Sequence, residues 1–187
     1  MNTVDAIPAA DIPVIKKALI NQNKTDVYHD IFALDLNFAL RISDLLALRF
    51  DDVIGKNVFS VPEGKTGKVR QIQVNDVAKD IINRRRSLYP DDIYLFQSHS
   101  NRCKAIPAPV RRESVAAAFK RAGEAAGNDY TVSTHSCRKT RGKVLYDAGV
   151  DIARISQMLN HSSIEVTMRY IGIRKSEIMA TYDDYQL

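Results

Sequence analysis

Six side chains scattered along the chain could together break and remake a phosphodiester bond: Arg41, Lys65, His135, Arg138, His161 and Tyr170. Such a reaction without a metal needs a nucleophile at phosphorus, cations for the two nonbridging oxygens of the pentavalent transition state, and a proton for the leaving 5′ oxygen. Arginine suits the second task, because its planar fork grips phosphate bidentately and stays charged at any working pH. A lysine on a turn can deliver the proton. A tyrosine forms a covalent phosphotyrosine that conserves the bond energy for rejoining.

These groups must be positioned by local structure. The run DIPVIKKALINQ predicts a helix with Asp11 as cap and Pro13 in its first turn. Residues 26–40 are apolar almost all round, the mark of a helix buried in a core. Arg41 follows directly, and Ser43 is expected to cap a short helix carrying Leu45, Leu46 and Leu48. NVFSV at 57–61 and VRQIQV at 69–74 read as two strands, the second with Arg70, Ile72 and Val74 on one face and Gln71 and Gln73 on the other. The turn PEGKTGK between them has Lys65 at its tip, with Lys68 as its rival.

The second half reads as helical. A stripe of Val77, Ile81 and Ile82 leads to the basic run Arg84–Arg86, read as a solvated helix face. Residues 91–113 look irregular apart from a short strand at IYLF. Val115, Ala118, Phe119 and Ala122 mark an amphipathic helix ending near Gly127. A helix begins near His135, putting His135 and Arg138 at i and i+3 on one face of its start, where the helix N-terminus also favours phosphate. Asp151 caps the next helix. The run Ser162-Ser163-Ile164-Glu165 predicts a capping box opening the helix that carries Tyr170. A last helix is expected at about 176–182, where Tyr182 and Tyr185 are weaker rivals for the nucleophile.

The bulk properties are compatible with this chemistry. At 187 residues the chain suits one domain with one core, and its net charge of +5 favours a polyanionic partner. Two cysteines outside any CxxC pair argue against a disulfide framework or zinc site and for a reducing cytoplasm, with Cys137 as a buried filler. No apolar run approaches the roughly 20 residues that span a bilayer, and residues 1–10 read as a short leader without a basic signal region.

FALRISDLLALRFDDV at 38–53 resembles the first signature box of the tyrosine recombinases, the phage integrase family. THSCRK resembles the second, with its HxxR core. LNHSSIEVTMRYIG resembles the third, with the tyrosine nine residues after the histidine, and EGKTGKVRQIQV resembles the hairpin bearing the catalytic lysine. The likeness covers about residues 10–182.

It implies a mainly α fold with a small antiparallel sheet (α+β), a catalytic domain over 11–175, and a tail at 176–187. It implies that Arg41 and Arg138 clamp the scissile phosphate, Lys65 is the general acid, and His135 handles a proton or hydrogen bond near the nucleophile. His161 would bond a nonbridging oxygen and Tyr170 would attack. Asp44 would steady Arg41, with which a pairing is expected, and the histidine.

The activity implied is site-specific DNA recombination through a 3′-phosphotyrosine, with no cofactor, metal or nucleotide. The implied partner is double-stranded DNA bearing recombination sites, on which the chain would form a homo-oligomer, a tetramer, with DNA-bending accessory proteins. The alternatives are a catalytically silent DNA-binding regulator and a type IB topoisomerase-like relaxing enzyme. The N-terminal helical domain of many members has no room here, which leaves a minimal recombinase or a catalytic domain. Ala39 stands where the family usually has glycine, Cys137 and Lys139 depart from the second box, and Asn160 replaces the usual glycine before His161.

Overall fold

The computed structural model describes residues 5–22, 25–64, 67–103, 105–173, 175–184 and 186. The first half runs α1 (Asp11–Gln22), α2 (Val27–Phe38), α3 (Ile42–Leu46), α4 (Phe50–Val53), β1 (Val58–Pro62) and β2 (Val69–Gln73). The second runs α5 (Asp76–Leu88), α6 (Arg112–Ala125), α7 (Ser136–Asp147), α8 (Ile152–Met158), α9 (Ile164–Ile171) and α10 (Lys175–Asp184), with a 3-10 turn at Asn101–Cys103. The fold is thus mainly helical with one two-stranded antiparallel sheet, as the sequence implies.

The main core forms around α2. Its all-round apolar sequence buries Ile31, Phe32, Ala33, Leu34 and Phe38, and α1, α5, α6 and α7 pack against it. β1 and β2 pair from Val58 with Gln73 to Pro62 with Val69, so Phe59 and Val61 face inward beside Ile72. Arg70 shares that inward parity and is buried too. Ile7, inside the segment read as a leader, is buried in this core and donates its N–H to Thr140 Oγ1 at 2.7 Å. A smaller apolar cluster joins Ala39, Ile155, Leu159 and Ile171, with Tyr170 packed against it.

Several local expectations change. The helix read over 26–40 stops at Phe38, because Ala39 turns left-handed at φ 48°. α3 starts at Ile42 with the extended Arg41 at its cap position, so Ser43 lies inside the helix rather than capping it. IYLF forms no strand: Tyr94 makes one isolated bridge to Arg49, and with no further ladder its β-propensity has nothing to extend. The capping box before α9 does not form. Ser163 alone is the cap, accepting from Val166 N, and Glu165 falls too early to return the bond. Asp151 does cap α8, accepting from Ala153 N and Arg154 N.

The basic run in α5 is structural rather than solvated. Arg85 is buried, donating to Asp30 Oδ2 and Leu95 O; Arg84 pairs with Asp26 and Asp30; Arg86 donates to the carbonyls of Pro90 and Asp92. Burial alone would raise the Asp30 carboxyl, but His29, Arg84 and Arg85 outweigh it and hold it below its usual range.

Candidate active site

The end of α2, the neck of the hairpin, the start of α7 and the α8–α9 turn converge on one place. Ala39 is central to it. Its left-handed turn swings the backbone so that its carbonyl accepts from both Arg70 Nη1 (2.9 Å) and Arg138 Nη1 (2.7 Å). Arg70 also bonds Phe38 O at 2.8 Å, and Arg138 bonds Leu159 O at the end of α8. Arg138 therefore stitches the first half of the chain to the second, with two of its five N–H groups given to these carbonyls.

Arg41 points to the same place. Its Nη1 lies 2.5 Å from Glu63 Oε2, a charge contact that is off the hydrogen-bond direction. Glu63 Oε1 is 3.9 Å from Arg138 Nη1, and Asn160 Nδ2 donates to Glu63 Oε2 at 2.7 Å. The expected pairing of Arg41 with Asp44 is absent among the described residues. Asp44 Oδ1 instead accepts from Gly64 N at 3.2 Å and from Ser43 Oγ at 3.5 Å, so it holds the hairpin neck. The reason is placement: the fully buried Glu63 carboxylate already occupies the space behind Arg41.

On the other side, His161 Nδ1 lies 2.9 Å from Thr167 Oγ1, and its ring meets the Tyr170 ring edge-on with centroids 5.0 Å apart. Tyr170 donates its hydroxyl to the His135 carbonyl at 3.4 Å, a long bond that is easily given up. His135 stands at the cap position of α7 and is exposed, whereas Arg138, three residues on, is buried. Lys65 lies outside the described residues.

The electrostatics suit an anion. Burial, then the nearby Arg138 and Arg41, lower His161 to about 4, so its ring is neutral at ordinary pH. Burial raises Tyr170 to about 12 although Arg138 and Arg41 pull the other way, so the resting hydroxyl is protonated. Burial lowers Arg138, and it lowers Arg70 to about 10, where the like charges of Arg138 and Arg41 add to the effect. Beneath them Asp35 is driven well above the usual carboxylate range by burial against the pull of Arg138, and the thiol of Cys137 beside it is raised as well. Among the described residues no group of three or more His, Cys, Asp or Glu side chains could hold a metal ion.

The model of the phage integrase family matches residues 7–177. The chain belongs to the phage integrase family, the tyrosine recombinases. It is 36% identical over 171 residues to a Bacillus subtilis (strain 168) protein named probable integrase/recombinase YoeC, covering 91% of this chain and 90% of that one. Its fold matches the XerA recombinase crystal structure with a TM-score of 0.75 at 20% identity, over 98% of this chain and 64% of that one. It also matches a λ integrase dimer bound to a COC′ core site, with a TM-score of 0.72 at 17% identity, over 92% and 61%. The chain thus spans almost all of YoeC but under two thirds of these solved recombinase chains.

Family membership gives the two glycine departures a physical meaning. Among the described residues, Ala39 and Asn160 are the non-glycine residues with positive φ, at 48° and 50°. Glycine enters that region freely; asparagine tolerates it, and alanine gives up about 1 kcal/mol or more. In this tyrosine recombinase the alanine methyl is buried in the small cluster, and the asparagine amide bonds Glu63.

Sequence reasoning missed Glu63, Arg70 and Asn160 as members of this layer. Arg70 carried a signal, since a charge on the apolar parity of a strand demands a buried partner. Glu63, within PEGK, looked like an ordinary turn residue.

Proposed function

We propose that this chain acts as a site-specific DNA recombinase that cuts and rejoins strands through a tyrosine. The Tyr170 oxygen attacks the scissile phosphorus as the bond to the 5′ oxygen breaks. The phenolic proton leaves to a base, with His135 as the nearby proton-handling group, and the 5′ oxygen takes a proton from Lys65. The product is a 3′-phosphotyrosine and a free 5′ hydroxyl. A 5′ hydroxyl from another strand then reverses the step and releases Tyr170. Arg41 and Arg138 hold the nonbridging oxygens, and His161 bonds one of them. Because Tyr170 is protonated at rest, its proton must be lost as the oxygen attacks, and a phosphate drawn between the arginines is what makes the step feasible.

The observation carrying this reading is the meeting of Arg41, Arg138, His161 and Tyr170 from separate segments around one positive layer. The λ integrase likeness, a dimer on a core site, supports double-stranded DNA as the partner. Assembly into a tetramer on paired sites, with residues 173–187 reaching a neighbouring copy, extends the same reading, as do DNA-bending accessory proteins and action in a bacterial or mobile-element setting. No described helix is long and apolar enough to cross a membrane.

The test uses nicked duplexes tiled across the DNA flanking the chain's own gene, in chelator without metal, beside Tyr170→Phe. A covalent protein–DNA adduct lost in the variant is the expected result. Specific binding with no adduct would make the chain a DNA-binding regulator instead, and relaxation of supercoils without site preference would make it a topoisomerase-like enzyme.

A further inference from the structure

We propose that Glu63 is the positioning residue of the arginine clamp, holding Arg41 and Arg138 from behind, and that Asn160 holds Glu63 in turn. The proposal rests on the recombinase reading above. Glu63 is the inward carboxylate within reach of both arginines, with Oε2 at 2.5 Å from Arg41 and Oε1 at 3.9 Å from Arg138. Its burial distinguishes two roles. A carboxylate standing in for the scissile phosphate would lie at the open mouth of the site. Glu63 is fully buried, whereas the Arg41 side chain keeps 20% of its surface exposed. Glu63 therefore touches the inner edge of the clamp and leaves the outer edge for substrate.

Such a counter-ion answers a physical need. Arg41, Arg70 and Arg138 crowd together in a poorly solvated layer, and without a fixed carboxylate they would repel one another out of register. Two neighbours of Glu63 fix it. Its backbone closes the hairpin, with Glu63 N donating to Lys68 O at 3.0 Å and Gly67 N donating to Glu63 O at 2.8 Å. Asn160 Nδ2 reaches it from the α8–α9 turn at 2.7 Å, and the next residue in that turn is His161. One carboxylate thus ties the hairpin, both arginines and the histidine turn to a common reference. A side chain at 160 that reaches back to Glu63 is what this chain gains by departing from glycine there.

The test is single-turnover adduct formation on the nicked duplexes, with site affinity measured separately by anisotropy, for the full chain. Glu63→Gln keeps the shape and an acceptor for Asn160 but removes the charge. It is expected to slow adduct formation roughly 10- to 100-fold, the scale of a misplaced reacting group, with site affinity unchanged. In Arg41→Ala the same change is expected to add less than its full effect, only the part that acts through Arg138, because Glu63 acts through the arginines. Asn160→Gly, which fits the positive φ, is expected to slow the step less and in the same pattern. Wild-type rates in both variants would overturn the proposal. So would affinity falling in step with rate, or a full additional loss in the Arg41→Ala background. If Glu63→Gln shows no cooperative melting transition, Asn160→Gly decides alone: slowed cleavage supports the proposal and an unchanged rate overturns it. Absence of any wild-type adduct would instead overturn the recombinase reading, and this inference with it.

Discussion

Two regions of unequal strength meet at the site. The first is the main core around α2, into which Phe32, Phe38, Phe50, Phe96 and Phe119 are fully buried. It carries Arg41, Asp44 and, through the sheet, Glu63. The second is the small cluster of Ala39, Ile155, Leu159 and Ile171, on which the α8–α9 turn and α9 bring His161 and Tyr170 into place. α9 packs chiefly on α7 and α8. The difference divides the proposed reaction between the two. Arg41 sits on the heavily buried block and Arg138 joins both, whereas His161 and the proposed nucleophile Tyr170 ride on the lightly packed region, where a small shift costs little and the weak bond to His135 O is the tyrosine's tether.

Arg138 is the stitch between them, bonding Ala39 O on one side and Leu159 O on the other. Arg138→Ala is the most damaging change, because it takes the buried donor from the Leu159 carbonyl, leaves the Ala39 carbonyl with Arg70 alone and deprives Glu63 of a cation. Thermal and denaturant melts are expected to show a loss of about 3 kcal/mol or more, with no adduct formed. A variant that melts like wild type would mean the two regions hold together without the arginine.

Next in size is a matched pair of glycines. A Cβ at Gly142 in α7 would sit 2.7 Å from Ile171 Cγ2 and 3.2 Å from Leu159 Cδ1; one at Gly123 in α6 would sit 2.6 Å from Val132 Cγ2. Gly142 lies one turn beyond Arg138, and Ile171 follows Tyr170. Both Gly→Ala changes are expected to cost about 1–3 kcal/mol in overpacking, partly offset by better helix propensity. Only Gly142→Ala is expected to slow adduct formation as well, because it lifts α9 away from the clamp. Equal slowing by both would show that cleavage simply follows global stability.

The same division explains what could be read in the sequence. Arg41, His135, Arg138, His161 and Tyr170 stood out because each lies in a short local motif. The main core was legible too, from the all-round apolar run of α2 and the parity of β2. What stayed hidden depended on partners far along the chain. Arg84–Arg86 read as a solvated face, yet Asp30 and the carbonyls of 90, 92 and 95 claim them. Asp44, three residues from Arg41, was the natural partner by spacing, yet the hairpin neck takes it and Glu63 replaces it. Local spacing reports which groups can act; long-range burial decides which charges they meet.

The smallest effect concerns pH and sharpens the comparison at the weaker region. His161 is lowered to about 4 by burial and by Arg138 and Arg41, against an ordinary value of 6.5. Between those values the unfolded chain takes up a proton at this position and the folded chain does not. Stability from this group is therefore fully present above pH 6.5 and is lost as pH falls toward 4. Denaturant midpoints are expected to fall over that window in wild type and to fall less in His161→Gln. A bound phosphate would favour the protonated ring, so the histidine should take up a proton on DNA binding, and site affinity should rise as pH is lowered from 7 toward 5.5. An affinity flat over that range would place the bound phosphate away from His161, and would leave the arginines of the stronger region to hold it alone.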